Sequence, residues 1–463
     1  MKAIFQGRNG LSNSIKNEDD KYSVGYLIDP FREWGFLKPA YAGTTITPTP
    51  AWDKYVVDMA SSGNAKLVLT QDHIWNVNDV HNTATPVHDM PDGGAYEVYS
   101  LQAYQTKIGG TLNSYSTFYF YGGTAGLYDG TNYIDNWMAT VPAGASSLGT
   151  FSIPYVWQNF LMIGYVTASN YYIAKFDGTL GDNGTLTPTW FELGSNWSVQ
   201  SFFTYYNYLG VVIYNTYSYE SQILLLDGSS TTLPVKRITT SDVIYNSVNI
   251  NNDLVFLTSD GLKQLGDNGL EPIKSLTSES SSSIATLVSL GISHSDILNN
   301  KIYFGSTTNI GGFGKKEGNP YIIYQPYDTA GVQIVKIKNF NTKLYVSSIK
   351  ADGSYILQYF STGNAVATLK YPFKDIGQKG IVKYVKFYFK PLASGDAITL
   401  GLDTDYGTAT TLGTATYATD GAITSKRFEI KKQCHAFRPT VSWTAGGASI
   451  SHVVVEYEPV SDI

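Results

Sequence analysis

A short motif recurs along most of this 463-residue sequence, and its spacing limits the folds that the chain can adopt. In each copy an asparagine is followed at once by a short apolar run rich in β-forming residues. The clear copies begin at Asn159, Asn207, Asn252, Asn300 and Asn341, at intervals of 48, 45, 48 and 41 residues. Weaker copies begin at Asn64 and Asn113. This period is typical of β-propeller blades, so we predict a degenerate propeller of about five to seven blades.

A second marker follows the asparagine motif in several copies. The dipeptides Asp129-Gly130, Asp177-Gly178 and Asp227-Gly228 lie 48 and 50 residues apart. Asp-Gly between β-forming residues is a strong hairpin signal. Asp260-Gly261 and Asp352-Gly353 are predicted to do the same in shorter hairpins. The repeating unit is therefore predicted to be strand, turn, strand, Asp-Gly turn, strand.

The composition agrees with an all-β fold and excludes some functions. Charged residues make up 15% and aromatic residues 14% of the chain, with 36 tyrosines, whereas average soluble proteins carry roughly 25% charged residues. The net charge of −6 provides no basic surface for stable nucleic-acid binding. The single cysteine, Cys434, excludes an intrachain disulfide and is expected to be a buried strand residue.

Three regions are predicted. Residues 1–60 form a lead-in that supplies closing strands, residues 61–370 form the propeller, and residues 371–463 form a small C-terminal β-sandwich of alternating strands separated by turns. Within the propeller, residues 71–97 fit no strand well, residues 275–290 form a serine run that leads into a short helix, and residues 311–318 form a flexible hairpin tip. We expect such insertions to project from one face.

The N-terminal sequence favours synthesis in a cytoplasm. Residues 1–8 lack the apolar core of a signal peptide. No apolar run approaches the roughly 18 residues that a membrane span requires. We therefore expect no membrane span.

One polar segment contains several potential metal ligands, but their spacing does not match a known site. The residues are Asp72, His73, Asp79, His81, His88 and Asp89. Imidazole and carboxylate groups could together hold a transition metal. No pair has a recognised ligand spacing, so a polar surface loop is the favoured interpretation.

Other acidic residues resemble known sites only in part. Asp403-Thr404-Asp405-Tyr406-Gly407 begins like a calcium loop but lacks the later ligands, so we predict a turn. Asp29 and Glu33, beside Trp34, are the carboxyl groups placed most suggestively for glycoside cleavage. The repeated aspartates lie in Asp-Gly turns, where the side chain bonds its own backbone. We therefore expect no enzyme activity, no catalytic residue, no metal and no cofactor.

The overall layout resembles the tail nozzle or hub proteins of short-tailed bacteriophages. The resemblance lies in the early segment at residues 24–41, in the style of the blades at residues 113–360, and in three stretches of the C-terminal module. Those stretches are Lys386–Gly407, Phe437–Trp443 and Val453–Tyr457. The family's early segment leads to an Arg-Pro-Gly-type turn, whereas this chain has Lys38-Pro39-Ala40.

The resemblance implies a structural subunit of a phage virion, assembled in the host cytoplasm. It implies a ring, of about six copies, that contacts portal, adaptor and other tail proteins and lets DNA pass without specific binding. A net-negative chain around such a channel would repel phosphate. The many tyrosines could serve the blade cores, the subunit interfaces or sugar binding.

Two alternatives stay open. The chain could be a carbohydrate-binding or glycoside-cleaving propeller with an accessory sandwich. It could also contact a host receptor through residues 71–97 or 311–318, which is compatible with a tail protein.

Overall fold

A computed structural model gives the fold of the chain. It describes residues 1–6, 24–33, 36–62, 65–91, 99–108, 111–121, 124–135, 154–166, 170–180, 186–215, 217–250, 253–266, 269–274, 295–305, 309–315, 321–340, 342–407 and 410–460. Within these ranges almost all regular structure is β-strand, and the helix α1 (Tyr417–Asp420) is a single turn. No helix in the described ranges is long and apolar enough to span a membrane.

Strands of the lead-in precede a series of four-stranded antiparallel units, which we call blades. The lead-in strands are β1 (Lys2–Phe5), β2 (Val24–Tyr26), β3 (Ile28–Asp29), β4 (Lys38–Pro39) and β5 (Ala42–Pro48). Blade 1 contains β6 (Asp58–Ser62), β7 (Ala65–Leu69), β8 (His73–Asn78) and β9 (Thr83–Asp89). Blade 2 contains β10 (Tyr99–Ile108), β11 (Thr111–Tyr121), β12 (Thr124–Tyr128) and β13 (Tyr133–Ile134).

The middle blades follow the same order along the chain. Blade 3 contains β14 (Tyr155–Trp157), β15 (Phe160–Val166), β16 (Tyr171–Phe176) and β18 (Leu186–Gly194), while the short β17 (Thr179–Leu180) pairs with β10 of blade 2. Blade 4 contains β19 (Trp197–Tyr205), β20 (Tyr208–Asn215), β21 (Ser221–Leu226) and β22 (Lys236–Thr240). Blade 5 contains β23 (Ile244–Ile250), β24 (Asp253–Thr258), β25 (Gly261–Gly266) and β26 (Gly269–Lys274).

The last two blades bring the chain back to its start. Blade 6 contains β27 (Ser295–Leu298), β28 (Lys301–Gly305), β29 (Asn309–Lys315) and β30 (Tyr321–Asp328). Blade 7 contains β31 (Gln333–Phe340), β32 (Lys343–Ile349) and β33 (Tyr355–Thr362), and β5 of the lead-in is its outermost strand. Blades 2 to 6 are five separate sheets, whereas blades 1 and 7 are joined into one eight-stranded sheet by a short parallel pairing of β5 with β9.

Hydrophobic packing shows that the blades form a closed ring. Among the described residues, six of the seven seams between neighbouring blades have their own cluster of buried side chains, and the seam of blades 5 and 6 shares its cluster with the C-terminal module. At the seam of blades 2 and 3, for example, Phe118 and Phe120 pack with Leu161 and Phe176. First strands of successive blades also contact one another, including β31 of blade 7 with β6 of blade 1. The all-β propeller prediction is therefore confirmed.

The asparagine motif marks the same turn in blades 3 and 6. Gln158 and Asn159 have φ values of 48° and 64°, and Asn299 and Asn300 have 51° and 55°. These left-handed pairs form the two-residue hairpins that join the first and second strands of a blade. The strand led by the asparagine is thus the second of its blade, and the first strand surrounds the axis. Asn113 departs from the pattern because it lies within β11.

The Asp-Gly marker also has a structural explanation. Asp129 and Asp227 follow the third strand of their blades, and each side chain accepts a backbone N–H two residues ahead. Gly228 then adopts a φ of 84°, which favours glycine. Asp352 makes the same contact, but it lies between the second and third strands of blade 7. The marker therefore predicts a turn between strands, but it does not show which two strands of the blade the turn connects.

Aromatic rings lie over glycines on neighbouring strands in several blades. Tyr119 is paired with Gly126, and Phe203 with Gly210. A Cβ atom built on either glycine would lie 2.0 Å from the facing ring. The glycine leaves room for the ring, and the ring shields the backbone that the glycine exposes. High contents of glycine and aromatic residues therefore serve one packing arrangement.

The C-terminal module is a two-layered sandwich in which one long strand belongs to both layers. Its strands are β34 (Ala367–Lys370), β35 (Lys374–Phe389), β36 (Ala397–Thr404), β37 (Thr410–Thr416), β38 (Ser425–Ala445) and β39 (Ile450–Pro459), joined by β1 and β2 of the lead-in. The first half of β38 pairs with β35, and its second half pairs with β34 and β36. Buried Trp443 and Phe437 lie in the core between the layers.

The lead-in attaches this sandwich to the propeller. Glu33 lies near Lys38, accepts a hydrogen bond from Ser449 and pairs with Lys390. Leu37 bridges Ile450. Side chains of blades 5 and 6, including Ile302, share one hydrophobic cluster with the sandwich core. The two modules therefore pack together at that side of the ring.

Two predictions about insertions are wrong for the residues that the structure describes. Residues 71–97 were expected to fit no strand, but β8 and β9 lie there, because Ile74, Trp75 and Val77 are buried while polar residues take the remaining positions. Of the predicted flexible tip at residues 311–318, residues 311–315 belong to β29, where Gly311 lies against the ring of Phe304, and residues 316–318 lie outside the described residues. The serine run at residues 275–290 lies outside the described residues.

Candidate functional site

Polar side chains connect the first strands of the blades around the propeller axis. We call this set the axial belt, and it crosses five consecutive seams, from blade 4 through blade 7 to blade 2. Its contacts are Ser201 Oγ to Ser247 Oγ at 3.0 Å, Asn246 Nδ2 to Ser295 Oγ at 2.7 Å, Asn339 N to Asp296 Oδ2 at 2.6 Å, Lys336 Nζ to Asp58 Oδ1 at 3.3 Å, and Ser100 Oγ to Asp58 Oδ2 at 3.0 Å.

Asp58 is the best-anchored group of the belt. Its residue is only 2% exposed, and its carboxylate accepts the backbone N–H groups of Met59 and Leu101 besides the Ser100 hydroxyl. Burial alone would raise the pKa of Asp58, but two lysine ammonium groups and these N–H donors hold it well below its usual range. Asp58 is therefore an ionised group that closes the ring and does not face solvent.

Lys336 and Lys338 project from the same side of β31 towards Asp58. Their Nζ atoms lie 3.3 Å and 3.4 Å from the same atom, Asp58 Oδ1. Their side chains are nevertheless 23% and 32% exposed, so both remain partly accessible to solvent. Burial would lower the pKa of Lys338, yet Asp58 and Asp296 raise it. Both lysines therefore present positive charge at the inner wall.

Asp296 differs from Asp58 in its surroundings. It lies on β27, is half-buried, and accepts the backbone N–H groups of Asn339 and Ile297 at 2.6 Å and 2.7 Å. Burial raises the pKa of Asp296 despite the opposing effect of Lys338 and these donors. The belt thus combines one carboxyl with a lowered pKa and one with a raised pKa. Such a division is the usual basis for assigning acid and base roles.

The residues of the predicted polar segment do not form a metal site. Asp79 pairs with Lys66 of its own blade and with Lys343 of blade 7, and the second pair ties blade 1 to blade 7. His73 lies 2.6 Å from Asp53 and 3.3 Å from Asp89. Across the described residues, no three potential ligands come close enough to hold a metal ion. Asp72 and His81 contribute backbone hydrogen bonds at the strand ends.

One shallow depression of about 500 Å³ lies beside this segment and is lined by Pro86, Val87, His88 and Asp89. His88 contacts Asp135 at 2.9 Å and stacks on Tyr133 with ring centroids 4.4 Å apart. Both contacts join the outer edges of blades 1 and 2. His88 therefore belongs to a seam between blades.

The remaining sequence candidates have structural roles. Asp29 is buried and accepts the Phe31 N–H, and Glu33 attaches the sandwich, while Trp34 lies outside the described residues. Asp403 pairs with Arg438 at 2.8 Å. Asp405 accepts the His435 N–H at 2.5 Å, in a turn after β36.

Cys434 is 1% exposed within β38. Burial raises the pKa of its thiol to about 11. The thiol is therefore kept in its protonated, unreactive form.

Sequence reasoning missed the four charged groups of the belt, which are Asp58, Asp296, Lys336 and Lys338. They come from three different blades, and none is part of a local motif. A weak signal exists in the serines, because Ser201, Ser247 and Ser295 follow the blade period at 46 and 48 residues. That period points to equivalent positions on the first strands, but it does not identify the charged members.

Comparison with known proteins gives similarity of architecture only. No protein-family model and no curated protein matches the chain. Among solved structures, it is similar to the AfRom2 CNH domain (11% identity, TM-score 0.41), covering 70% of this chain and all of that one. It is also similar to a glycoside hydrolase family 43 arabinoxylan arabinofuranohydrolase from Bacillus subtilis, in complex with cellotetraose (10% identity, TM-score 0.30), covering 88% of this chain and 97% of that one.

A third similar structure is an exo-beta-1,3-galactanase from Phanerochaete chrysosporium (11% identity, TM-score 0.28), covering 90% of this chain and all of that one. The prediction that the chain is not an enzyme is contradicted by these comparisons, because the similar structures include glycoside hydrolases. That prediction rested on the repeated aspartates of the Asp-Gly turns and did not consider Asp296, which lies on β27, the first strand of blade 6. The resemblance to tail nozzle proteins, with its ring of subunits and virion location, stays a prediction.

Proposed function

We propose that this protein binds a saccharide at the axial belt. The observation that carries the proposal is the group formed by Lys336, Lys338 and Asp296 on first strands of the ring. Buried Asp58 anchors both lysines, and all three residues of the group are partly exposed. Asn246 and Ser295, which are only partly buried, add an amide and a hydroxyl group on blades 5 and 6. Sugar hydroxyls both donate and accept hydrogen bonds, and the belt supplies partners of both kinds.

Glycoside cleavage is a second candidate function, and the raised pKa of Asp296 favours it. A carboxyl that retains its proton can donate it to the glycosidic oxygen as the bond to the anomeric carbon breaks. Water then adds to that carbon, and the proton it releases restores the acid. The Asp58 carboxylate is buried and contacts five donor groups of the protein, so it cannot contact the sugar. Its role is to position the two lysines.

A binding screen with a matched pair of variants tests the proposal. The full chain would be screened against an oligosaccharide panel by calorimetry, and each bound sugar would be assayed for release of reducing ends. Asp296→Asn should weaken binding about tenfold, the effect of one lost hydrogen bond to the sugar, and should abolish any hydrolysis. The control is Asp352→Asn, because Asp352 is an exposed residue of the turn between the second and third strands of blade 7, where its side chain accepts the N–H of its own turn.

The outcomes separate the candidates. Saccharide binding without hydrolysis supports the binding function alone. Hydrolysis that is lost in the Asp296→Asn variant supports both saccharide binding and glycoside cleavage. A chain that binds no saccharide, or whose binding Asp296→Asn leaves unchanged, contradicts the proposal. The tail-nozzle role is a separate proposal that rests on the sequence resemblance, and electron microscopy of purified particles would test whether the chain forms rings.

A further inference from the structure

We infer that the saccharide bound at the axial belt carries a carboxylate, so that uronic-acid units are its recognised feature. The inference rests on the proposed function and specifies its substrate class. It is drawn from two observations. Lys336 and Lys338 lie close together, and the carboxylates near them differ in exposure, since Asp58 is buried and Asp296 is half-buried.

The charges that a ligand meets at this wall are mainly positive. The buried carboxylate of Asp58 pairs with both lysines, but only 3% of its side chain is exposed. The side chains of Lys336 and Lys338 are 23% and 32% exposed. Its second oxygen is occupied by Ser100 Oγ and Leu101 N. Both ammonium groups share the first oxygen. Each ammonium group has three N–H donors, so donors remain that can point towards the axis.

Asp296 is the accessible acid nearby, and its carboxyl is already engaged. Its two oxygens accept the N–H groups of Ile297 and Asn339. These backbone bonds fix the carboxyl to blades 6 and 7. Among the described contacts, neither lysine ammonium group donates a hydrogen bond to Asp296, so their N–H donors stay available to a ligand. Asp296 acts on Lys338 by electrostatic attraction, which raises the pKa of Lys338.

The spacing of the lysine nitrogens suits one carboxylate. Because both lie within 3.4 Å of the same oxygen, they are within about 7 Å of each other. A ligand carboxylate that accepts from each nitrogen at about 2.8 Å can bridge that distance. The ring hydroxyls of the same sugar would then lie near Asp296 and the hydroxyl and amide groups of blades 5 and 6. A chain of net charge −6 has little other reason to attract an acidic polymer.

The test compares one oligosaccharide in two forms. Binding of an oligogalacturonate to the unaltered full chain is measured beside that of its fully methyl-esterified form, which has the same rings without the charge. The acid should bind at least about tenfold more tightly, and added salt should reduce this difference. Lys336→Gln should remove most of the difference, and Lys336→Arg should restore it. Lys383→Gln is the control, since Lys383 is an exposed lysine of the sandwich with a carboxylate partner, Glu458.

The outcomes distinguish this inference from the function on which it rests. Equal binding of acid and ester would overturn the preference for a carboxylate and leave saccharide binding intact. If only neutral sugars bind, the inference is likewise wrong. If neither form nor any neutral saccharide binds, the proposed function fails with it. The comparison of acid with ester needs no variant, so an unstable Lys336→Gln protein would not leave the question open.

Discussion

Replacing Asp58 by asparagine should weaken the closure of the ring. The shape of the side chain is preserved, but the negative charge beside Lys336 and Lys338 is lost. The new NH₂ group must also face a donor, either the rigid N–H of Leu101 or the ammonium groups. The first arrangement leaves a buried N–H unpaired, at a cost of about 1–3 kcal/mol.

The total effect follows from the exposure of the partners. Removing one member of a fully buried ion pair costs about 3–5 kcal/mol. Both lysines are partly exposed and can turn towards water, so we expect the lower end, about 3 kcal/mol. Urea unfolding followed by circular dichroism would measure the loss. Asp227→Asn, an exposed turn substitution, is the control and should change the free energy of unfolding by less than about 0.5 kcal/mol.

Acid pH supplies an independent check. The folded-state pKa of Asp58 is lowered from the ordinary value of 3.8, so its stabilising effect is complete above that value and is lost as pH falls below it. The difference between Asp58→Asn and the unaltered chain should therefore shrink at pH 3. Replacing both lysines by methionine should likewise reduce the cost of Asp58→Asn to about 1 kcal/mol. An Asp58→Asn protein as stable as the Asp227→Asn control would refute the role of the charge.

Three further predictions concern other parts of the molecule. Gly210→Ala should destabilise the protein by about 1–3 kcal/mol in thermal unfolding, because its Cβ would meet the ring of Phe203, whereas alanine at exposed Gly353 would strain only its turn. Cys434 should resist alkylation at pH 8 until denaturant is added, since its thiol is buried and its pKa is about 11; rapid labelling of the native chain would contradict this. Asp79→Asn should cost about 2 kcal/mol in urea unfolding, because its largely buried carboxylate pairs with Lys66 of blade 1 and with Lys343 of blade 7; no measurable loss would mean that the pairs are fully solvated.

Local signals in the sequence predict much of the framework. Asn159 and Asn300 identify hairpins because left-handed backbone favours asparagine, and that preference acts within two residues. Asp227-Gly228 is recognisable for the same reason. Alternation predicted the sandwich strands, whose outward and inward positions differ in polarity. These features depend on neighbours in sequence, so a single sequence is enough to find them.

The candidate site depends on neighbours in space and is therefore hidden from such reasoning. Asp58 and Lys338 are 280 residues apart and meet because the ring closes. Asp296 lies three residues before the turn at Asn299, where nothing local distinguishes a belt carboxyl from an exposed one. The histidines of β8 and β9 illustrate the opposite error. They cluster in sequence, but the alternation of a strand directs them to separate partners.

The composite seventh blade has a consequence for the order of events during synthesis. Its outermost strand, β5, emerges from the ribosome early, whereas its partner β33 ends only at Thr362. Until then the growing chain is an open arc with two unpaired blade faces. The edges that finally meet carry Asp58 and Asp79 on one side and Lys336, Lys338 and Lys343 on the other. The opposite charges favour pairing of the two edges within one chain. An edge of a second nascent chain that carries the same charge is repelled.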